Sequence, residues 1–81
     1  MSGIEAAVKE FILKEFLPGE DPANLLTSTP LIAGGILDSL ATLKLVAFLE
    51  ESYGVVIEPH ETDEEHLGTI ADIEKLVQAK S

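Results

Sequence analysis

The chain has no cysteine and no arginine, and its acids outnumber its bases three to one. Without cysteine, disulfide staples and thiolate metal sites are excluded, and a reducing cytoplasm is the expected compartment. Bases are scarce, five lysines against 15 acids, for a formal net charge of -10. That charge repels phosphate backbones, so no nucleic-acid partner is expected. It disfavours anionic membranes in the same way. A basic protein surface would be steered in, although acidity can also serve solubility alone. No apolar run reaches the roughly 20 residues that cross a bilayer, so no membrane insertion is expected. The opening "MSGIEAAVKEF" carries acids and no basic n-region, which is unlike a secretory signal.

What the chain does have is apolar content. At 81 residues and 46% hydrophobic, it should fold as a single domain over 1–81 with a small core. The spacing of Ile4, Ala7, Val8, Phe11, Ile12 and Phe16 predicts a helix over 3–17, stopped by Pro18 and Gly19. Ser2 and Glu5 read as its capping box, with Glu5–Lys9 and Glu10–Lys14 pairing along its polar side. Residues 18–37 lack a period. A connection that long in a compact domain is often functional, and Leu25, Leu26, Leu31, Ile32, Ile36 and Leu37 are expected to plug it into the core. Pro30, Gly34 and Gly35 are turn residues.

A second helix is expected over 39–53, with Gly54 just past its end. "GVVIEP" reads as an extended connector with buried valine and isoleucine, since no other segment could pair with it as a strand. "ETDEEHLG" can form one or two helical turns. Thr69 should cap a last helix over 70–80, with Ile70, Ile73, Leu76 and Val77 as its apolar stripe. The fold class is therefore all-α: a small four-helix bundle of three main helices and a short third one, with a long first loop.

On a helical wheel, Thr42, Leu45, Val46, Phe48, Leu49 and Tyr53 form the core arc of the second helix. The other arc holds Ser39, Leu40, Leu43, Lys44, Ala47, Glu50 and Glu51. An exposed Leu40–Leu43–Ala47 seam rimmed by Glu50 and Glu51 would suit docking of a partner. Asp38 can act as N-cap. Ser39 then sits at the first helical position, where helix dipole and backbone donors favour an anion such as a phosphate ester. Taken alone, "DS" opens many helices and needs no further meaning.

Taken together, "GGILDSL", the apolar helix ending "LEESYGVVIEP", the acidic turn and "GTIADIEKLV" resemble the acyl carrier protein family over essentially the whole chain. The resemblance implies that a phosphopantetheinyl transferase moves the 4'-phosphopantetheine part of coenzyme A onto the hydroxyl of Ser39, with Asp38 helping to orient the transferase's metal and coenzyme A. The thiol at the end of that arm would carry acyl intermediates as thioesters between a loading ligase and downstream transferases or synthases. The chain itself would then be a monomeric carrier and not a catalyst. Ile36, Leu37 and the start of the second helix would form the partner surface.

The chain also departs from that family. Fatty-acid carriers of bacteria usually have acids two and five residues after the serine, where this chain has Ala41 and Lys44. A lysine there weakens attraction to a basic enzyme patch, which points away from housekeeping fatty-acid synthesis and towards a specialised pathway, polyketide-like or otherwise. Aminoacyl carriers of the D-alanyl or peptidyl type, loaded by an amino acid ligase, share the fold and the serine, and they remain the alternative. A hydrolase built on Ser39 with His60 or His66 lacks a nucleophile elbow and an oxyanion hole. The acids and histidines of "EPHETDEEH" fit no metal-site spacing and read as a solvated face. An unmodified acidic adaptor using Leu40, Leu43 and Ala47 is the remaining reading.

Overall fold

The computed structural model describes residues 3–81, so the proposed capping role of Ser2 lies outside the described residues. Helix α1 runs Gly3–Phe16 and buries Val8 and Ile12 completely, one turn apart on one face. Leu17 ends it one residue earlier than the spacing predicts, its N–H reaching back to the carbonyls of Ile12 and Leu13, before Pro18. Phe11 projects from the same side and stacks on Phe48 of the next helix, ring centroids 4.3 Å apart and planes at 17°. Phe16 meets Phe11 edge-on at 5.6 Å. Such pairs contribute about 0.5–1.5 kcal/mol beyond the area they bury.

Helix α2 spans Ser39–Tyr53. Its start is fixed by the Asp38 carboxylate, which accepts the N–H of Ala41 at 2.8 Å. Its end is fixed by Gly54, whose φ of +67° lies in the left-handed region that costs a Cβ-bearing residue most. The buried stripe is Ala41, Leu45 and Leu49, narrower than the expected arc. Thr42, Val46, Phe48 and Tyr53 are only half-buried, and Ala41, which lies outside the core arc of the wheel, is buried.

The connector 54–58 alternates Val55 in, Val56 out, Ile57 in. It is extended, but it pairs with nothing as a strand, so the described residues contain no sheet; Val55 and Ile57 are the buried valine and isoleucine that the sequence leads one to expect, and Val56 faces out. A 3₁₀ turn at Pro59–Glu61 leads to short helix α3, Glu64–Leu67. Helix α4, Ile70–Lys80, buries Ile70, Ile73, Leu76 and Val77 as expected. Thr69 caps it, its hydroxyl accepting the N–H of Asp72 at 3.1 Å. Helix α4 packs on α1 and α3, and α1 packs on α2. The fold is the small helical bundle that the sequence predicts.

The long loop between α1 and α2 contains a 3₁₀ turn, Pro22–Asn24. It is held in two ways. Leu25, Leu31 and Leu37 are buried in the common core, while Ile32 and Ile36 are half-buried. Backbone bonds then stitch it down: Leu31 N–H donates to Gly68 O at 2.7 Å, and Ala71 N–H to Thr27 O at 3.1 Å. The second bond also satisfies one of the N–H groups that every helix start leaves over. Leu26, expected as an anchor, is exposed. Gly34 is required where it stands, because a Cβ there would lie 2.4 Å from the carbonyl oxygen of Pro30. No described helix is long and apolar enough to cross a membrane.

Candidate functional site

The loop delivers the chain to α2 at one corner of the bundle. Ile36 and Leu37 both donate their N–H to Leu31 O at 2.9 Å, which fixes the approach to Asp38. The first helical bond, Thr42 N–H to Asp38 O at 2.9 Å, then starts α2. The Asp38 carboxylate takes the N–H of Ala41, so the N–H groups of Ser39 and Leu40 have no acceptor within the helix. Ser39 is exposed at this mouth, with its hydroxyl at the positive end of the helix dipole.

Beside Ser39 runs an open groove of about 570 Å³, lined by Ile32 and Leu37 from the loop, Asp38, Ser39, Thr42 and Leu43 from the start of α2, and Thr62 from the segment after the 3₁₀ turn. Its surface is mostly apolar. A second, smaller hollow of about 220 Å³ lies between Phe16, Ile36, Leu40, Ala41 and Lys44, and Asp38 belongs to both. A larger hollow of about 640 Å³ lies along α1 between Lys9, Leu13, Lys14 and Pro18, away from the serine.

The outward seam of α2 is where the sequence puts it. Leu40 is 63% and Leu43 67% exposed, with Lys44, Ala47 and Glu51 exposed around them. Three neighbours differ from expectation. Leu37 is only 4% exposed: it is core and groove floor, and cannot offer its side chain to a partner. Ile36 is half-buried beside it. Glu50 is not a free rim acid, because its carboxylate accepts the N–H of Ile57 at 2.9 Å. Ala41 is buried, so an acid in its place would have to enter the packed side of α2, and only Lys44 alters the charge of the outer face.

Neither histidine lines the groove at Ser39. His66 lies 2.7 Å through Nδ1 from the Asp63 carboxylate, whose other role is to cap α3 by accepting the His66 N–H. That hydrogen bond, aided by the charges of Asp63, Glu65 and Glu61, raises the pKa of His66 above its ordinary value, and His66 in turn lowers that of Asp63. Asp63, Glu65 and His66 bring one potential ligand atom each within 4.8 Å, on a face where both carboxylates are exposed. Sequence reasoning did not find Thr62 or the ion pair next to it. Lys80 at the end of α4 sits 2.7 Å from Glu61, and its hydrogen bond, together with one from Glu58 N–H, lowers the Glu61 pKa.

No family model matches the chain. A solved structure described as "Crystal structure of FAD-dependent dehydrogenase" contains a chain similar to this one, at 37% identity and a TM-score of 0.79, over 86% of this chain and 97% of that one. The matched chain is therefore about as short as this one. At that identity and coverage the two belong to one family of small helical domains.

Proposed function

We propose that this chain is a carrier protein whose working residue is Ser39. The observation that supports this most is the serine's setting: an exposed hydroxyl at a capped helix mouth, above an apolar groove, with Leu40 and Leu43 bare beside it. A phosphate ester on Ser39 would meet the unbonded N–H groups of Ser39 and Leu40 and the helix dipole, so the residues present fit the phosphopantetheine group that the resemblance to acyl carrier proteins implies. When attached, that group supplies a thiol that holds acyl or aminoacyl cargo as a thioester. The protein's own part is threefold. Asp38 holds the helix mouth open and presents the hydroxyl to a transferase, the groove offers an apolar bed beside it, and Leu40, Leu43 and Lys44 meet the enzymes that load and unload the cargo.

The similarity to a chain from a dehydrogenase structure bears on the cargo. This chain has no strand among its described residues, so it lacks there the parallel sheet of a doubly wound dinucleotide-binding fold. It fits better as a chain that serves a flavin-dependent dehydrogenase. Its cargo would then be an acyl or aminoacyl thioester on which such a dehydrogenase would act.

The test is incubation with coenzyme A and a broad-specificity phosphopantetheinyl transferase, read by intact mass. One phosphopantetheinyl group should appear on the wild-type chain and none on Ser39→Ala. A folded wild-type chain that stays unmodified rules the reading out, and a Ser39→Ala chain that keeps its biological role makes it an adaptor. Offering the modified chain ligases with acyl and amino acid substrates then identifies the cargo class.

A further inference from the structure

Between Ile57 and Leu67, both buried, the segment 58–66 passes without one buried side chain. Its own bonds are local. Glu61 N–H donates to Glu58 O and Thr62 Oγ1 to Pro59 O, while Glu58 N–H returns to Glu61 Oε1 at 2.9 Å. These bonds shape 58–62 but do not tie it to the bundle, whereas α3 just after it packs on α4, and stretches with few buried contacts open at low cost. The tie is made by Lys80. Its ammonium lies 2.7 Å from the same Glu61 Oε1, with the Lys80 and Glu61 side chains 21% and 13% exposed. One carboxylate oxygen thus joins the 3₁₀ turn to the last residue of α4. Thr62, the next residue, is the part of the groove lining that neither the loop nor α2 provides.

We propose that the Glu61–Lys80 ion pair is a clamp that holds Thr62 in place at the Ser39 groove, so that its release swings the 58–62 stretch away and opens the groove. Glu61 and Lys80 are positioning residues: neither lines the groove, and both act through Thr62. An ion pair that is largely but not fully shielded is stronger than an exposed one yet still reversible, which suits a wall that must let an attached group in and out. The use of the groove rests on the reading of Ser39 above. The clamp belongs to the unmodified chain and can be tested without it.

The experiment compares Lys80→Met with Lys80→Arg in the full chain. Hydrogen exchange at the Glu61 and Thr62 amides should rise about tenfold in Lys80→Met, with Ile12 and Leu49 within about twofold of wild type. In a Ser39→Cys background, which supplies the chain's single thiol, an acrylodan label should shift its emission to the red on adding Lys80→Met. Lys80→Arg should restore both. Unchanged exchange overturns the clamp, as does a rise shared equally by Ile12 and Leu49, which marks global loosening. Faster local exchange with unmoved emission also overturns it, because the segment would then open without affecting the groove. A chain that passes but never accepts phosphopantetheine keeps the clamp and loses the carrier reading.

Discussion

The carboxylate of Glu50 accepts the backbone N–H of Ile57 at 2.9 Å, bridging the last turn of α2 and the connector that leaves it. The bond is partly buried, and it pins the residue that carries the chain towards the groove wall. Removing the acceptor strands that N–H, so Glu50→Ala is expected to cost about 1–2 kcal/mol. Glu50→Gln keeps an acceptor and should recover at least half of the loss. Glu51→Gln, one residue on and exposed, should stay within about 0.5 kcal/mol of wild type. Urea unfolding of the three variants checks the order. If Glu50→Ala unfolds at the wild-type midpoint, the bond has no structural weight and Glu50 returns to the rim.

Leu37 and Leu43 both line the groove, but they differ in what lies behind them. Leu37 is floor and core, and Leu37→Ala should cost about 2–4 kcal/mol. Leu43 faces out, so Leu43→Glu should leave stability within about 0.5 kcal/mol while slowing phosphopantetheine transfer or cargo loading. Thermal melts paired with transfer rates separate the two. A Leu43→Glu chain that melts early places Leu43 in the core and removes it from the docking surface.

These contrasts show where the sequence was readable. Helix positions follow from apolar spacing and end signals: Asp38, Gly54 and Thr69 stand where their chemistry requires, whereas Ser39 is singled out by the resemblance of its surroundings to carrier proteins and not by spacing. What spacing could not show is which side chain of a period reaches a neighbour. Ala41 is buried near Phe16 and Ile36 while Thr42, the next residue, is only half-buried. Leu26 and Leu25 are adjacent and equally apolar, and only the packed loop decides which turns in. The Glu50–Ile57 bond and the Glu61–Lys80 pair join positions brought together by tertiary packing or by a bend after the helix, and no periodic pattern encodes either.

The His66–Asp63 pair sets a pH dependence with a definite sign. The folded pKa of His66 is raised, so its contribution is fully present below the unfolded value near 6.5 and is lost as pH rises through the higher folded value. Asp63 is lowered, so its contribution is present above about 3.8 and is lost as pH falls through the lower folded value. The pair therefore helps most between those limits. Proton NMR should place the His66 midpoint above 6.5, and Asp63→Asn should bring it down. The stability gap between wild type and His66→Gln should narrow as pH rises past the His66 midpoint. A His66 midpoint indifferent to Asp63→Asn would show that the hydrogen bond does not control its charge.

Lys44 and Ala41 are the two positions where the proposed resemblance to fatty-acid carriers breaks down, and the structure gives them opposite consequences. Ala41 packs inside α2, so Ala41→Glu forces a charge and extra volume into the core and should cost more than about 3 kcal/mol. Lys44 is exposed beside Leu40 and bears on any partner that covers the seam. Lys44→Glu adds to an already acidic surface and should leave the fold intact, while raising kcat/KM with a fatty-acid-type transferase about 3- to 10-fold at low salt. Most of that gain should vanish as added salt shortens the screening length. Steady-state rates at two ionic strengths read it out. Rates that ignore the substitution at both would mean that partners do not approach over Lys44, and the preference for a specialised pathway would lose its electrostatic basis.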